Sequence, residues 1–333
     1  MNTTTVASID FGVYYRYEYT GFATIIANLI IFSVIVTDRG LRERLLLYSV
    51  LAIGDILNGC YFGYANFMRL QQMKDGTYFI PTSKWDCAKK FYSFFQLTGT
   101  QFPALIALLI SIERVLAVQK PIWYHAKYGI KHRITAISCS LLVLAFSLAV
   151  HYLTTYPLTD QSASTSQYCA LSFSSDANYN RAHQAFITVI RMCAFLLSAL
   201  AFVQASRKSR QIAAMRKEAI QVAPILIVSV FSLLLITIPQ VGLFLTNNFA
   251  TVPAFNSSVF VHWTLLLTCI NSLTNIVIYT FFTRDFRRRL IKLATFNIVQ
   301  NKSRSVMPGT TMHPQNRAIV VRSHHSNSAI IPK

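Results

Sequence analysis

Two charged residues lie in the middle of long apolar stretches of this 333-residue chain, where an ionised side chain is costly. They are Asp55 and Arg191, and three amides, Asn28, Asn271 and Asn275, lie inside other apolar stretches. If these stretches are neighbouring helices, Asp55 and the amides can converge in a hydrogen-bonded network that holds water or a small cation. The alternative is that each group only joins one helix to the next.

Arg191 poses a separate question, because its guanidinium needs an anion or a set of acceptors. One hypothesis is that Arg191 binds an acidic group of a ligand. The alternative is that its side chain extends toward the membrane surface, or bonds to backbone carbonyls and to Gln96.

An acid and a base, Glu113 and Arg114, end the third apolar stretch, and Pro121 and Tyr124 follow them. An arginine at a helix end is usually an anchor whose charge reaches the membrane interface. Here the adjacent acid gives Arg114 a partner from which it can be released.

Seven apolar stretches must position these residues. A hydrocarbon core of about 30 Å needs about 20 apolar residues per helical crossing. Crossings must be helical here because every backbone polar group needs an internal partner in lipid. The sequence therefore predicts an all-α membrane protein with seven transmembrane helices at 20–37, 45–67, 91–117, 134–153, 183–205, 219–246 and 258–282.

The net charge of +19 is distributed unevenly between the two sides of these helices. With the amino terminus outside, the inner segments 38–44, 114–133, 206–218 and 283–333 hold 23 of the 31 lysines and arginines and, with Glu113 at their edge, five of the 12 acids. This bias predicts an external amino terminus and a cytoplasmic tail. The basic inner face suits anionic lipid and an acidic cytosolic partner. A nucleic-acid partner is not expected, because the chain has no soluble basic domain to hold one.

Two of the six cysteines, Cys87 and Cys169, fall on the predicted outer side, where disulfides persist. We expect a bridge that pins the outer loop over the helices; the alternative is two free thiols. Asn2 and Asn256 begin glycosylation sequons on the same side.

Several markers occur in order and on consistent sides of the membrane: Asn28, Leu51-Ala52 with Asp55, Trp85 with Cys87, Glu113-Arg114, Pro121-Ile122 with Tyr124, Cys169, Pro239, and Asn275 with Tyr279. With them, the chain resembles a rhodopsin-like G-protein-coupled receptor over residues 20–292. It is most similar to the nematode serpentine chemoreceptor families, the Srsx type in particular.

The resemblance implies a conformational switch. Glu113 would hold Arg114 at rest, and on activation the sixth helix would swing outward while Arg114 extends toward Tyr279 and a Gα subunit. Pro239 fits a pivot, because proline removes a helical hydrogen bond and kinks the helix. The other implied switch residues are Asp55, Asn271 and Asn275.

The resemblance also implies a short amphipathic helix after the seventh span, with Phe286 and Leu290 dipping into the inner leaflet. We therefore expect an extracellular amino terminus at 1–19, a seven-transmembrane receptor domain with this helix at 20–292, and a disordered cytoplasmic tail at 293–333.

The family's ligand pocket lies between helices three, five, six and seven. Glutamine at position 96 replaces the acid that amine receptors carry, so a monoamine ligand is not expected. The positions implied to bind ligand are Gln96, Leu97, Thr100, Gln240, Leu243, Leu265 and Cys269, together with Arg191.

The chain departs from the family pattern at several positions, and this drift favours the chemosensory branch. The departures include Pro103 in helix three, Thr237 in helix six and Ile276 in helix seven. The expected function is a chemosensory receptor for a small extracellular ligand, at the plasma membrane and in sensory-neuron cilia, that activates a heterotrimeric G protein. Arrestin and a receptor kinase are further implied partners. A neuropeptide receptor and a small transporter or channel are the alternatives, and we expect no enzymatic activity, cofactor or metal.

Overall fold

The computed structural model describes residues 11–158, 169–171, 173–211, 227–228, 230–248 and 257–295. Helices form the regular structure of these ranges, with one bridge residue at Thr82. Six helices are long and apolar enough to cross a membrane, and a shorter apolar helix covers Val230–Gly242. The predicted fold class, an all-α seven-helix membrane bundle, is confirmed.

The helices of the described ranges are labelled in chain order: α1 (Phe11–Val36), α2 (Arg39–Arg44), α3 (Leu46–Lys74), α4 (Lys84–Ala88), α5 (Phe91–Gln119), α6 (Pro121–Lys127), α7 (Ile130–Thr155), α8 (Ala177–Gln211), α9 (Ile238–Asn248), α10 (Ser257–Phe282) and α11 (Arg284–Ala294). A π-helical segment, Leu233–Thr237, leads into α9. The seven spans are α1, α3, α5, α7, α8, the π segment with α9, and α10.

Several helices run beyond the predicted edges. α1 begins at Phe11 rather than at 20, α3 continues to Lys74 rather than 67, and α8 covers Ala177–Gln211 rather than 183–205. The predicted edges mark only the apolar part of each helix, which suits lipid. The helices are longer because their backbone hydrogen bonds continue into the polar residues on either side. The early turns of α1 are also packed, because the Tyr14 hydroxyl lies 2.9 Å from that of Tyr78.

α3 and α5 pack closely where Asp55 lies. A Cβ added to Gly99 would lie 2.5 Å from the backbone nitrogen of Asn58. One added to Gly54 would lie 2.8 Å from the ring of Pro103, which stands inside α5. The two backbones are therefore in contact on either side of Asp55, and neither glycine tolerates a side chain without a shift.

A widened turn precedes the proline of the sixth span. Proline lacks an amide hydrogen and interrupts the helical ladder, and a π turn is a common local adjustment near functional positions. The π segment Leu233–Thr237 ends two residues before Pro239. The predicted pivot therefore lies beside an irregular stretch of helix.

Short helices surround the end of the bundle that carries Glu113. Asp38 caps α2 by accepting a hydrogen bond of 3.0 Å from the Leu41 amide, and Pro121 opens α6. In α11, Phe286 is fully buried and its ring lies 5.9 Å from that of Tyr279. The expectation that Phe286 dips into lipid is corrected here, because this ring packs inside the protein.

The chain divides into two compact units, Met1–Ile291 and Lys292–Lys333. In the second unit the structure describes residues 292–295 only. The rest of the predicted tail lies outside the described residues, as do the sequon residues Asn2 and Asn256.

Candidate functional site

Asp55 is the polar centre of the bundle. Only 5% of its surface is exposed, and its carboxylate accepts hydrogen bonds of 2.9 Å from the Ser272 hydroxyl and 2.9 Å from the Asn275 amide. Both donors stand on α10, three residues apart and therefore on one helix face. These bonds join α3 to α10.

The expected four-residue network forms only in part. Asn275 reaches Asp55, but Asn271 accepts a hydrogen bond of 2.9 Å from the Ser232 hydroxyl, next to the π segment. Asn28 donates to the Thr24 carbonyl of its own helix at 3.0 Å. Ser272 was missed at the sequence level, although its spacing of three from Asn275 was a usable signal.

A cavity of about 70 Å³ opens beside Asp55. We call it the Asp55 cavity; its polar lining residues are Asp55, Asn58, Arg191, Ser232, Thr237, Thr268, Asn271, Ser272 and Asn275. The Nε of Arg191 is buried without a hydrogen-bond partner. Among the residues expected to bind ligand whose side chains the structure describes, only Arg191 lines this cavity.

Glu113 forms a second polar cluster at the end of α5. The Tyr124 hydroxyl donates to its Oε1 at 2.6 Å, and Arg133 of α7 donates from Nη2 to Oε1 at 2.8 Å and from Nε to Oε2 at 3.2 Å. Arg133 also donates to the Glu43 carbonyl before α3. We call Glu113, Tyr124 and Arg133 the Glu113 cluster.

The Glu113 cluster is tightly enclosed. The side chains of Glu113 and Arg133 are 4% and 11% exposed. Burial, followed by the charge of Glu113 and the hydrogen bond to it, raises the pKa of Tyr124 to about 12. Tyr124 therefore keeps its proton and acts as a donor throughout the physiological range.

This cluster corrects the expectation that Glu113 holds Arg114. In the described part of the chain, no hydrogen bond or ion pair joins the two side chains, although their charges interact. Consecutive residues of a helix do not face each other, so Glu113 points toward α7 while Arg114 points elsewhere. Arg114 instead interacts with the side chain of Tyr48 in α3.

Arg114 lies next to a column of aromatic rings. The Tyr48 ring meets that of Tyr279 at 5.6 Å, edge to face. The Nε of Arg114 and the Tyr279 hydroxyl are buried without hydrogen-bond partners. Tyr48 was missed at the sequence level; its place at the start of the second span was the only available signal.

The residues expected to bind ligand lie in two groups. Leu97 packs with Leu171 and Tyr179, whereas Cys269 and Leu265 pack in a cluster that includes the Cys87–Cys169 pair. Gln240 is partly buried, and the side chain of Leu243 lies outside the described residues.

The first group includes polar atoms without partners. The Thr100 hydroxyl lies 3.5 Å from Nε2 of His183, and the Gln96 Oε1 has no hydrogen-bond partner. Both ring nitrogens of His151 are likewise unpartnered, and this side chain has no exposed surface. His151 and His183 are both buried beside Tyr179.

The expected disulfide is confirmed. Cys87 and Cys169 are bonded, with their Cα atoms 5.1 Å apart. Both are fully buried. The bridge ties the segment before α8 to α4, which precedes α5, at the end of the bundle opposite Glu113.

Comparison with known proteins agrees with this architecture. The family model described as 7 transmembrane receptor (rhodopsin family) matches residues 27–279. That range runs from α1 to α10 and includes Asp55, the Glu113 cluster, Arg114 and the disulfide. A search of curated proteins finds no match. With seven apolar spans, the bridged loop and a family match over most of its length, the chain belongs to the rhodopsin family of seven-transmembrane receptors.

Proposed function

We propose that the protein is a chemosensory G-protein-coupled receptor. It binds a small extracellular ligand within the bundle and activates a heterotrimeric G protein. The observation that carries this proposal is the environment of Arg114, whose Nε has no hydrogen-bond partner and whose side chain interacts with Tyr48, the ring neighbour of Tyr279. Such a side chain can be redirected without breaking a direct ion pair.

The proposed resting state differs from the one implied by resemblance. Arg133 and Tyr124 satisfy Glu113, and Arg114 interacts with the side chain of Tyr48. Outward movement of the sixth span, with Pro239 as pivot, would expose Arg114 to the Gα subunit beside Tyr279. Asp55, Asn271 and Asn275 would transmit the movement, because their bonds connect α3, α10 and the residue before the π segment.

The proposed ligand site lies toward the disulfide end of the bundle. Thr100 offers a hydroxyl beside His183, Gln96 offers an unpartnered amide oxygen, and Leu97 offers apolar surface. This lining supports a small ligand with hydrogen-bonding groups and no obligatory positive charge. Leu265, Cys269, Gln240 and Leu243 are proposed to complete the site.

The proposed orientation has the amino terminus outside the plasma membrane, with residues 1–19 extracellular and 293–333 forming a cytoplasmic tail. The distribution of basic residues supports it. We place the receptor in sensory-neuron cilia, with anionic lipid on the inner face and with arrestin and a receptor kinase as partners of the tail. Glycans are proposed at Asn2 and Asn256.

The test uses cells that express the full chain with a promiscuous Gα subunit. A panel of small odorant-like molecules is compared with a panel of amidated peptides. We expect responses within the first panel, and loss of the response in Arg114→Ala at equal surface level. Arg39→Ala, at an exposed position near the same end, is the matched control and should respond normally. Responses confined to peptides, or a full response by Arg114→Ala, would overturn the proposal.

A further inference from the structure

Arg191 and Asp55 face the same internal space from different helices. Arg191 stands in the middle of α8 and Asp55 in the middle of α3, and both line the Asp55 cavity. Their charges interact across it. A carboxylate and a guanidinium, the two charges that the apolar spans contain at their centres, therefore share one enclosure.

Neither charge is balanced by its immediate contacts. Asp55 accepts hydrogen bonds from Ser272 and Asn275, and both donors are neutral. An ionised carboxylate has about four acceptor positions, so these two bonds leave room for more donors. The Nε of Arg191 has no partner. Each ion therefore retains hydrogen-bonding capacity, and both residues line the cavity.

The space between them suits water. No ion pair within 4.0 Å connects Arg191 with Asp55 in the described residues, so any link between them crosses the cavity. A water molecule occupies about 30 Å³ in the liquid and needs two to four polar partners. The cavity measures about 70 Å³, and Asn58, Ser232 and Asn271 contribute further polar groups to its wall.

We propose that Arg191 is the fixed counter-ion of Asp55, linked to it through water, and that the cavity therefore excludes free monovalent cations. A sodium ion in the cavity would be attracted by the carboxylate of Asp55 but repelled by the guanidinium of Arg191 in the same enclosure. Opposite charges on α3 and α8 attract strongly in such a medium of low polarity. Arg191 consequently acts as a positioning residue that tethers α8 to the core of the bundle.

This assignment separates Arg191 from the ligand site. Gln96, Thr100 and Gln240 do not line the Asp55 cavity, whereas Arg191 does. The guanidinium thus has an anion within the protein and needs none from a ligand. The inference does not depend on the proposed ligand, the coupling to a G protein or the orientation in the membrane.

The test is thermal unfolding of the purified full-length receptor in detergent, followed by tryptophan fluorescence. Sodium chloride is titrated against choline chloride at constant ionic strength. The variants are Arg191→Met, Asp55→Asn/Arg191→Met, and Arg181→Met as the matched control at an exposed position of the same helix. None of these measurements requires a ligand.

We expect the wild-type midpoint to be the same in both salts. Arg191→Met should lower it by about 5 °C or more, because it leaves a buried carboxylate unbalanced. Sodium, but not choline, should then restore part of the loss as its concentration rises. The double variant should regain most of the midpoint and lose the sodium response, and Arg181→Met should resemble wild type.

Two results would overturn the inference directly. One is a wild-type receptor that sodium stabilises over choline; the other is an Arg191→Met variant no less stable than Arg181→Met. If Arg191→Met cannot be purified, recovery of folded protein in the double variant supports the pairing. Failure of the double variant as well counts against it.

Discussion

Arg133 of α7, and not the adjacent Arg114, holds the carboxylate of Glu113, with Nη2 2.8 Å from Oε1. The bond connects residues 20 positions apart in sequence that stand on two different spans. Because Arg133 also donates to the Glu43 carbonyl, it joins α5 and α7 to the last turn of α2. Arg133 therefore connects three helices at this end of the bundle.

Replacement of Arg133 by Gln should destabilise the receptor. Removing one partner of a buried ion pair leaves the other charge unbalanced, and such losses are about 3–5 kcal/mol. The expected result is a lower midpoint of thermal unfolding. Lys131→Gln removes an exposed charge from the same turn and serves as control. Equal midpoints for the two variants would show that the pair contributes nothing to stability.

Tyr124→Phe should have a smaller effect of the same sign. It deletes the 2.6 Å hydrogen bond to Glu113 but keeps the ring. Hydrogen bonds to charged groups contribute about 1.5–3 kcal/mol. Tyr128→Phe is the matched control, because that ring stacks on Tyr124 at 5.1 Å. The measurement is the midpoint of thermal unfolding. If Tyr128→Phe lowers it as much as Tyr124→Phe does, the loss of stability does not come from the hydrogen bond to Glu113.

The span pattern of the fold was predictable from sequence, because seven apolar runs are a direct consequence of the membrane as solvent. The ends of the helices were not. Hydropathy places the end of α3 at 67, yet buried Arg69 bonds to Asn66 at 3.0 Å and to Tyr61 at 3.4 Å, so the helix continues to Lys74.

Pairings between spans were harder to predict than the spans themselves. Asp55 and Asn275 were both recognised as polar groups within spans. Whether Arg191 faces Asp55, however, depends on the rotation of α8 about its own axis. Adjacency in sequence suggested Glu113 with Arg114, whereas helical geometry directs neighbouring side chains about 100° apart. Sequence identified the chemical groups of the site, and packing chose their partners.

Loss of the disulfide should reduce the amount of folded receptor. Cys87 and Cys169 are 82 residues apart, and removing a native bridge typically costs about 2–5 kcal/mol. Cys169→Ser is therefore expected to lower surface expression, measured with an epitope tag. Cys139→Ser, at an exposed free cysteine, should express normally. Normal expression of Cys169→Ser would mean that the bridge is dispensable.

Acidification should destabilise α4, the short helix that contains Asp86. Its hydrogen bond with Lys89 and then that with Ser83 lower the pKa of this carboxyl. A depressed pKa stabilises the folded state above the unfolded value of about 3.9, and this contribution is lost as the pH falls below it. Hydrogen exchange of α4 should therefore rise on acidification below about pH 4, and less so in Asp86→Asn. An identical pH profile for the variant would exclude this carboxyl as the cause.

The central claim is that Arg114 transmits the signal once the bundle opens and that the Glu113 cluster opposes this opening. Nucleotide exchange on a Gα subunit, without ligand, measures both parts in wild type, Arg133→Gln and Arg133→Gln/Arg114→Ala at matched surface level. We predict that Arg133→Gln raises basal exchange above wild type and that the double variant abolishes it. Equal basal exchange by the single and double variants would contradict the account.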